Sequence, residues 1–313
     1  NKIKLKARAS EAGQALVSGL LLVGFLNNIN DEKLTLSLEN NNLTITTTHH
    51  HTIIKSYPVS DFPSLPPPPV NSLTLNLDLL VNGLRAVSYA AASSNIKPEI
   101  SSVYLYQADG YLVFVATDSF RLVEQKINLE TTNPPTINLI IPIKNSLELI
   151  RLFENYHGQV AAHWDKNQLS ILNQDIHFTS RLVDGVYPDY RQIIPTSFQT
   201  EVVFLREELL QALKLSNVFV DRLNQISFKV APATKEVELS SQNSDLGKNT
   251  TKLSAAITGE TVEINFNVKY LIDYLQNLTT DSVVLKFNGT AKPIVVTGVG
   301  CLTPTYLIMP TNR

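Results

Sequence analysis

Side chains capable of catalysis or metal binding are sparse in this chain, and they are the first feature that constrains its function. His49, His50 and His51 form a cluster among six histidines. Neighbouring residues of a strand point to opposite faces, so at most two of the three could share a metal ion. Because no Cys, Asp or Glu stands beside them in the sequence, we expect no metal site here.

The remaining reactive residues also lack the partners that catalysis requires. Cys301 has no adjacent His or Lys to lower its pKa, and His157, His163 and His177 are single histidines in strand or loop contexts. The sequence contains no nucleophile elbow, no Walker loop and no dinucleotide fingerprint; Gly298 and Gly300 lack the third glycine and the following helix. We therefore expect neither a catalytic residue nor a cofactor.

Asp118 and Arg121 stand where a strand ends, in the segment Ala116-Thr-Asp-Ser-Phe-Arg-Leu122. Aspartate commonly bonds the backbone of a turn, and arginine pairs with carboxylates in two-pronged geometry. We predict that Asp118 caps this turn and pairs with Arg121.

Basic residues form no run, and 26 Lys and Arg stand against 28 Asp and Glu, so composition gives no argument for nucleic acid. Lys144 and Arg151 are seven residues apart and share a helix face opposite Leu149 and Phe153. The negative charge of Glu148 nearby weakens the positive charge of that patch.

The composition indicates a globular protein, with 43% apolar and 17% charged residues. The longest apolar run, Leu16 to Leu26, is interrupted by Gly19 and Gly24 and falls short of the roughly 18 to 20 residues that cross a bilayer. A single cysteine excludes a disulfide framework and a zinc site built on several thiolates, and it fits a reducing compartment. We expect a cytoplasmic protein without membrane contact.

Three stretches repeat one plan, in which a helix is followed by two alternating strands. They begin near Leu20, Leu147 and Leu271, so the period is about 125 residues and each repeat is a domain. Helices are also predicted from Asp78 to Ser93 and from Arg206 to Val218, each followed by a hairpin. Asp109-Gly110 and Asn288-Gly289 are the strongest turn signals.

Two proline-rich segments divide the repeats, at residues 62 to 69 and 187 to 195. The predicted domains are 1–70, 71–195 and 196–313. Each full domain holds two helices and about eight short strands, which is an α+β class. The first repeat has only about 70 residues, and the alternating Lys2 to Arg8 starts as a running strand, so we expect about 55 further residues ahead of Asn1.

Four ordered motifs give the chain a resemblance to a known family. They are Val115-Ala-Thr-Asp-Ser-Phe-Arg-Leu122, Arg181-Leu-Val-Asp-Gly-Val-Tyr-Pro-Asp-Tyr-Arg191, Ile264-Asn-Phe-Asn-Val-Lys-Tyr270 and Tyr306-Leu-Ile-Met-Pro310. The chain resembles the bacterial sliding clamp, the β subunit of DNA polymerase III, along its whole length. The resemblance implies three similar clamp modules, each with two helices packed on antiparallel sheets, the first incomplete here. It also implies a head-to-tail dimer that forms a ring around double-stranded DNA.

The family resemblance further implies a pocket between the second and third modules for short peptides of the replicative polymerase, the clamp loader and repair proteins. Carried over by position, its residues are Ile100, Thr117, Ser119, Phe120, Arg121, Leu122, Pro188, Gln192, Ile193, Asn267, Tyr270, Pro293, Leu307, Ile308, Met309 and Pro310. The chain departs from the family pattern at Ser119-Phe120, Gln192 and Thr311-Asn-Arg313. We expect an altered peptide preference from these departures.

DNA contacts implied by the resemblance fall on the channel helices and on the loop after the first helix of module two. They are Lys97 and Lys144, with Arg85, Arg151, Arg206, Lys214 and Lys269 added from their places on helices. Ring closure would bring the strand with Ile53 and Ile54 of one chain against the helix edge near Leu215 of another.

These features predict a non-catalytic processivity factor of the replicative polymerase. Two alternative hypotheses about its function stay open. A peptide-binding scaffold of the same fold that forms no ring agrees with the short first module and the neutral charge balance. An enzyme with a site spread over loops, using His163 or Asp118, is disfavoured because nucleophile and metal patterns are missing.

Overall fold

A computed structural model describes residues 1–94, 96–129 and 136–311. It divides the chain into two compact units, residues 4–67 and residues 68–313 together with 1–3. Among the described residues, no helix is long and apolar enough to span a membrane.

The elements before residue 71 comprise one short α-helix, four strands and a 3₁₀ turn at Val59–Asp61. In chain order the helix and strands are β1 (Lys2–Ile3), α1 (Gly19–Leu26), β2 (Thr35–Glu39), β3 (Asn42–Thr46) and β4 (His51–Ile54). The last three strands form an antiparallel sheet in the order β2-β3-β4, whereas β1 belongs to the larger unit.

Residues 4–67 bury little apolar surface. Helix α1 contains no buried residue, and Leu20 is 91% exposed. Leu36 and Leu38 of β2 are also exposed, while Ile45 and Ile54 form the small buried centre. An uncovered apolar helix of this kind gains little stability from packing.

Between residues 71 and 195, the described residues form two α-helices and eight strands. They are β5 (Asn71–Asn76), α2 (Leu77–Ser88), β6 (Ser102–Ala108), β7 (Tyr111–Thr117), β8 (Arg121–Asn128), β9 (Asn138–Pro142), α3 (Ile143–Phe153), β10 (Gln159–Trp164), β11 (Gln168–Leu172) and β12 (Ile176–Arg181).

The rest of the chain repeats this plan. Its elements are β13 (Thr200–Leu205), α4 (Arg206–Ser216), β14 (Gln225–Ala231), β15 (Glu236–Asn243), β16 (Gly247–Ser254), β17 (Ala256–Gly259), β18 (Val262–Asn267), α5 (Val268–Asn277), β19 (Ser282–Phe287), β20 (Ile294–Gly298) and β21 (Thr305–Ile308).

Helix α2 begins where the sequence indicates but ends five residues earlier than predicted. The Asn76 side chain accepts a hydrogen bond of 2.8 Å from the backbone N–H of Asp78 and so caps the start of the helix. At the other end the Ser88 hydroxyl donates to the carbonyl of Leu84, and Ala90 and Ala91 turn through bonds to Val87 and Ser88. The prediction that α2 reaches Ser93 is wrong, because after Ser88 the backbone bonds tighten to three-residue spacing at Ala90 and Ala91 and the helix ends.

Antiparallel pairing joins the second and third repeats into one sheet. Its nine strands run β17-β13-β19-β20-β21-β8-β7-β6-β9. The junction is the pairing of β21 with β8, in which Leu307 faces Leu122 and Ile308 faces Arg121. Flanking sheets have the orders β1-β12-β11-β10-β5 and β16-β15-β14-β18.

The helices pack in pairs against one face of these sheets. Helix α2 packs on α3, and α4 packs on α5. Gly83 lets α2 approach closely, since a Cβ there would lie 2.4 Å from the Phe114 ring. The hairpin turn predicted at Asp109-Gly110 is confirmed, because both residues adopt the positive φ angles that such a turn requires.

A second, smaller core covers the opposite face of the nine-stranded sheet. Segment 182–199, which we call the connector, leads from β12 to β13. Its Tyr187 and Tyr190 pack on Leu122 and Leu307. The connector therefore covers the junction of β8 and β21 directly.

Candidate functional site

The turn between β7 and β8 is held by its own side chains. Asp118 Oδ1 accepts the backbone N–H groups of Phe120 and Arg121, each at 2.9 Å, and Thr117 Oγ1 donates to the carbonyl of Arg121. Ser119 has a φ of 78°, in the left-handed region. The predicted capping role of Asp118 is confirmed.

Arg121 links this turn to two helices. Its Nε donates to Asp118 Oδ2 at 3.0 Å, and its two terminal nitrogens donate to Asp273 Oδ2 of α5 and to the carbonyl of Tyr89, both at 2.6 Å. The guanidinium also lies 4.6 Å from the centre of the Tyr270 ring. Because each nitrogen already has an acceptor, this side chain acts chiefly as a clasp between the two repeats.

Beside the clasp, the chain end extends the junction of β8 and β21. The Met309 N–H donates to the carbonyl of Phe120 at 2.8 Å, and the Thr311 N–H donates to the carbonyl of Asn265 at 2.8 Å. Ile308 pairs with Ile294 on its other side, next to the buried Pro293. Met309 and Phe120 are thereby fixed side by side.

Two large apolar side chains remain uncovered in this region. Phe120 is 62% exposed and Ile193 is 45% exposed, although their neighbours Leu122 and Tyr190 are buried. Phe120 belongs to the turn, and Ile193 lies in the connector on a short 3₁₀ turn, Arg191–Ile193. Exposed apolar residues next to an anchored strand junction are suited to hold an apolar peptide side chain.

Hydrogen bonds, strand pairing and a cation–π contact join most of the predicted pocket residues into one cluster. Thr117, Ser119, Phe120, Arg121, Leu122, Tyr270, Leu307, Ile308, Met309 and the adjoining Pro310 surround the junction.

The other predicted pocket residues have different local roles. Asn267 caps α5 by accepting the Lys269 N–H at 3.0 Å. Ile100 accepts the Ala92 N–H through its carbonyl in the loop before β6. Gln192 donates to Asp189 within the connector at 2.6 Å, and Pro188 lines a cavity of about 380 Å³ beside Tyr104, Tyr106 and Arg191. Of the departing chain end, Asn312 and Arg313 lie outside the described residues.

Burial raises the pKa of three tyrosines in this region. Burial raises the pKa of Tyr306, whose hydroxyl donates to the carbonyl of Tyr270 at 2.9 Å. Burial likewise raises the pKa of Tyr187 and of Tyr274. These hydroxyls stay protonated in the ordinary pH range, and that of Tyr274 donates to the carbonyl of Pro304 at 3.0 Å.

The predicted DNA-contacting residues divide into two groups. Five have exposed side chains that form no ion pair within the described part of the chain: Arg85, Lys97, Lys144, Lys214 and Lys269.

The other two are engaged within the protein. Arg151 pairs with Glu148 at 2.7 Å, and Arg206 donates to the carbonyls of Thr280 and Leu275 while contacting Glu207. These contacts weaken the case for phosphate binding by Arg151 and Arg206.

The predicted interface residues differ in exposure. Ile53 of β4 and Leu215 of α4 are 54% and 51% exposed, whereas Ile54 is 3% exposed. A buried Ile54 supports the small sheet from within, which leaves Ile53 and Leu215 as the surface candidates.

The histidine cluster has an acidic neighbour that the sequence analysis missed. His49 Nδ1 lies 2.8 Å from Asp31 Oδ1, and His50 Nε2 lies 3.9 Å from Asp31 Oδ2. The bond from His49 lowers the pKa of Asp31. The expectation of no nearby acidic group is wrong because the fold, not the sequence, brings Asp31 there. No group of three or more His, Cys, Asp or Glu in the described ranges is arranged to hold a metal ion.

Two further site residues escaped the sequence analysis. Asp273 binds Arg121 from α5, and Glu124 is a buried carboxylate on β8. An ionisable residue within the apolar stretch Leu122-Val-Glu-Gln was the one available signal for Glu124.

We predict that Arg121→Lys lowers the free energy of unfolding by roughly 2 to 4 kcal/mol, because one ammonium cannot replace three directed nitrogens and the Tyr270 contact. Urea denaturation followed by circular dichroism measures the change. The matched control is Arg151→Lys, whose exposed pair with Glu148 contributes little. Equal effects of the two substitutions would contradict the clasp.

Comparisons with known proteins agree with this architecture. A family model described as the DNA polymerase III beta subunit, central domain, matches residues 74–189, and the model for its C-terminal domain matches residues 191–312. The chain is 30% identical to the beta sliding clamp of Synechococcus elongatus, over 97% of this chain and 83% of that protein.

Solved structures of such proteins are similar to this chain in fold. The DNA polymerase III beta subunit of Thermotoga maritima superposes with a TM-score of 0.90 at 24% identity, over 98% of this chain and 83% of that one. The sliding clamp of Bacillus subtilis does so with a TM-score of 0.86 at 25% identity, over 94% and 78% of the two chains. The expected α+β clamp fold is confirmed, and the chain belongs to the DNA polymerase III beta subunit family, the bacterial sliding clamps.

Proposed function

We propose that this chain is a non-catalytic DNA sliding clamp that encircles duplex DNA and tethers the replicative polymerase. The junction of β8 and β21 carries the proposal, because it places Met309, Phe120 and the Arg121 clasp at one surface between two repeats. A docked peptide there raises the effective concentration of its protein at the DNA without any bond chemistry.

The proposed partners of the junction are short peptides of the replicative polymerase, the clamp loader and repair proteins. An apolar surface with one polarizable methionine and exposed Phe120 and Ile193 suits peptides anchored by Leu or Phe. Phe120 stands where the family commonly has histidine. An aromatic, uncharged rim favours peptides with apolar side chains facing it.

Retention on DNA in this proposal is topological. A closed ring needs no tight phosphate contact, and a few exposed lysines such as Lys97 and Lys144 keep the lining mildly positive. The overall charge of −2 is therefore compatible with DNA encirclement. We place the protein in the cytoplasm, where its DNA substrate lies.

The proposed module boundaries remain 1–70, 71–195 and 196–313. The division of the structure between residues 67 and 68 supports the first boundary, and the meeting of the two family models at residue 190 lies close to the second. Two such chains, joined head to tail through Ile53 and Leu215, would form the ring.

A second candidate is a peptide-binding scaffold of the same fold that does not form a ring. The balance of 26 Lys and Arg against 28 Asp and Glu favours it, because this charge gives no general attraction to DNA. Oligomeric state separates the two candidates.

We expect sedimentation equilibrium at micromolar concentration to give twice the chain mass for a clamp, because ring closure requires two copies. Ile53→Asp or Leu215→Asp should shift the mass to that of a monomer, since each places a charge in the interface. Leu302→Asp is the matched control, as Leu302 is 90% exposed on a loop outside the proposed contact. A monomer before any substitution would favour the scaffold.

We expect the loaded protein to remain longer on circular DNA than on the same DNA after linearisation, because only a free end releases a closed ring. Lys97→Ala with Lys144→Ala should shorten retention on the circle as salt rises, with Lys235→Ala on the hairpin between β14 and β15 as the control. Gel filtration of labelled protein on nicked plasmid measures both effects. Equal retention on circle and linear DNA would contradict encirclement.

We expect a Gln-Leu-x-Leu-Phe peptide to bind with a Kd near 1 μM, about −8 kcal/mol. Met309→Ala should weaken binding about tenfold, about 1.4 kcal/mol, by removing apolar contact at the junction. Fluorescence anisotropy measures the peptide affinity of the unmodified chain and of Met309→Ala, with Leu302→Ala as the control. Unchanged affinity in Met309→Ala would place the peptide elsewhere.

A further inference from the structure

The outer face of the nine-stranded sheet contains a buried carboxylate. Glu124 of β8 is 5% exposed and shares its sheet face with Leu122, beneath the connector. A buried carboxylate is costly unless it is paired and hydrogen-bonded. Lys126 supplies the charge, with Nζ 3.0 Å from Glu124 Oε1 at the edge of the covered region.

The other oxygen of Glu124 ends a chain of hydrogen bonds that begins on the connector. The Tyr190 hydroxyl donates to Glu124 Oε2, and it lies 2.7 Å from the Tyr106 hydroxyl. The Arg191 guanidinium donates to that Tyr106 hydroxyl at 2.8 Å.

The donor and the acceptor of each hydrogen bond in this network are fixed. Arginine only donates and an ionised carboxylate only accepts, and each tyrosine has a single hydroxyl hydrogen. Arg191 therefore donates to Tyr106, Tyr106 to Tyr190, and Tyr190 to Glu124. Every hydroxyl donates once and accepts once, so the network is satisfied and each member depends on the others.

Aromatic stacking reinforces the same contact. The rings of Tyr104 and Tyr106 stack with centres 4.7 Å apart, and Tyr187 of the connector stacks on Tyr104 at the same distance. Arg191 also lies 5.3 Å from the centre of the Tyr106 ring. Three connector residues, Tyr187, Tyr190 and Arg191, are thus attached to two strands of the sheet.

Tyr190 and Arg191 lead directly into the short turn that carries Gln192 and Ile193. The N–H of Ile193 bonds to the carbonyl of Tyr190 at 3.1 Å, and the N–H of Ile194 bonds to that of Arg191 at 3.3 Å. The anchored residues therefore supply the acceptors for this turn. Loss of the anchor would release the turn and move the exposed Ile193 side chain.

We propose that Glu124, acting through Tyr190, is a positioning residue that fixes the connector wall of the peptide-docking site. This inference rests on the proposed peptide-binding function. Glu124 touches no peptide; it determines where Ile193 stands relative to the junction of β8 and β21. The sheet side of the site is anchored by Arg121, and the connector side by Glu124.

The test compares Tyr190→Phe and Glu124→Gln with Tyr111→Phe as the matched control, since Tyr111 lies on β7 and is 41% exposed. Amide hydrogen exchange is measured at Ile193 and Ile194, and peptide affinity by fluorescence anisotropy. Exchange at Phe228, buried in β14, monitors global stability.

We expect Tyr190→Phe to speed exchange at Ile193 and Ile194 about tenfold and to weaken the peptide about three- to tenfold, with Phe228 unchanged. Glu124→Gln should have smaller effects, because its amide carbonyl still accepts from Tyr190. Glu124→Leu, which removes the acceptor, should match Tyr190→Phe. Tyr111→Phe should change neither quantity.

Unchanged exchange at Ile193 in Tyr190→Phe would overturn the anchoring role. Faster exchange with an unchanged peptide Kd would overturn its link to docking. If the unmodified chain binds no peptide, the proposed function fails. Faster amide exchange at Ile193 in Tyr190→Phe would still support the anchoring role. Met309→Ala separates the peptide-binding function from the anchoring role, because it should weaken peptide binding without altering amide exchange at Ile193.

Discussion

The antiparallel pairing of β8 with β21 holds the second and third repeats together. It joins strands from two repeats into one sheet, and the register sets Leu307 against Leu122 and Ile308 against Arg121. A slip of one residue would turn every side chain of β21 to the wrong face. The surface that carries Met309 exists only in this register, so the proposed docking site and the union of the repeats depend on the same strand pairing.

Polar groups on the two sides of the sheet select that register. On the helix side Arg121 contacts Asp118, Asp273 and the carbonyl of Tyr89, and on the connector side Glu124 contacts Lys126 and Tyr190. Apolar packing alone tolerates shifted arrangements, whereas a buried ion without its partner costs several kcal/mol. The two networks therefore specify one arrangement of repeats and connector more than they add to stability.

A clamp combines this specificity with weak contact to DNA. Lys97 and Lys144 are exposed, while Arg151 and Arg206 are engaged by the protein itself. Tight phosphate contacts would slow sliding, so a topological mechanism needs few of them. The strong interactions lie between the repeats, where Arg121 of one repeat contacts Asp273 of the other.

Local features of the fold follow from the order of amino acids alone. Helix periodicity, the Asp109-Gly110 turn and the Asp118 cap follow from interactions between near neighbours, and the internal repeat follows from comparing the chain with itself. Tertiary structure alone decided the contacts between distant residues: Asp31 with His49, Asp273 with Arg121, and Glu124 with Tyr190. Each pairs charged or polar groups that only the register of strands brings together, and no local pattern encodes that register.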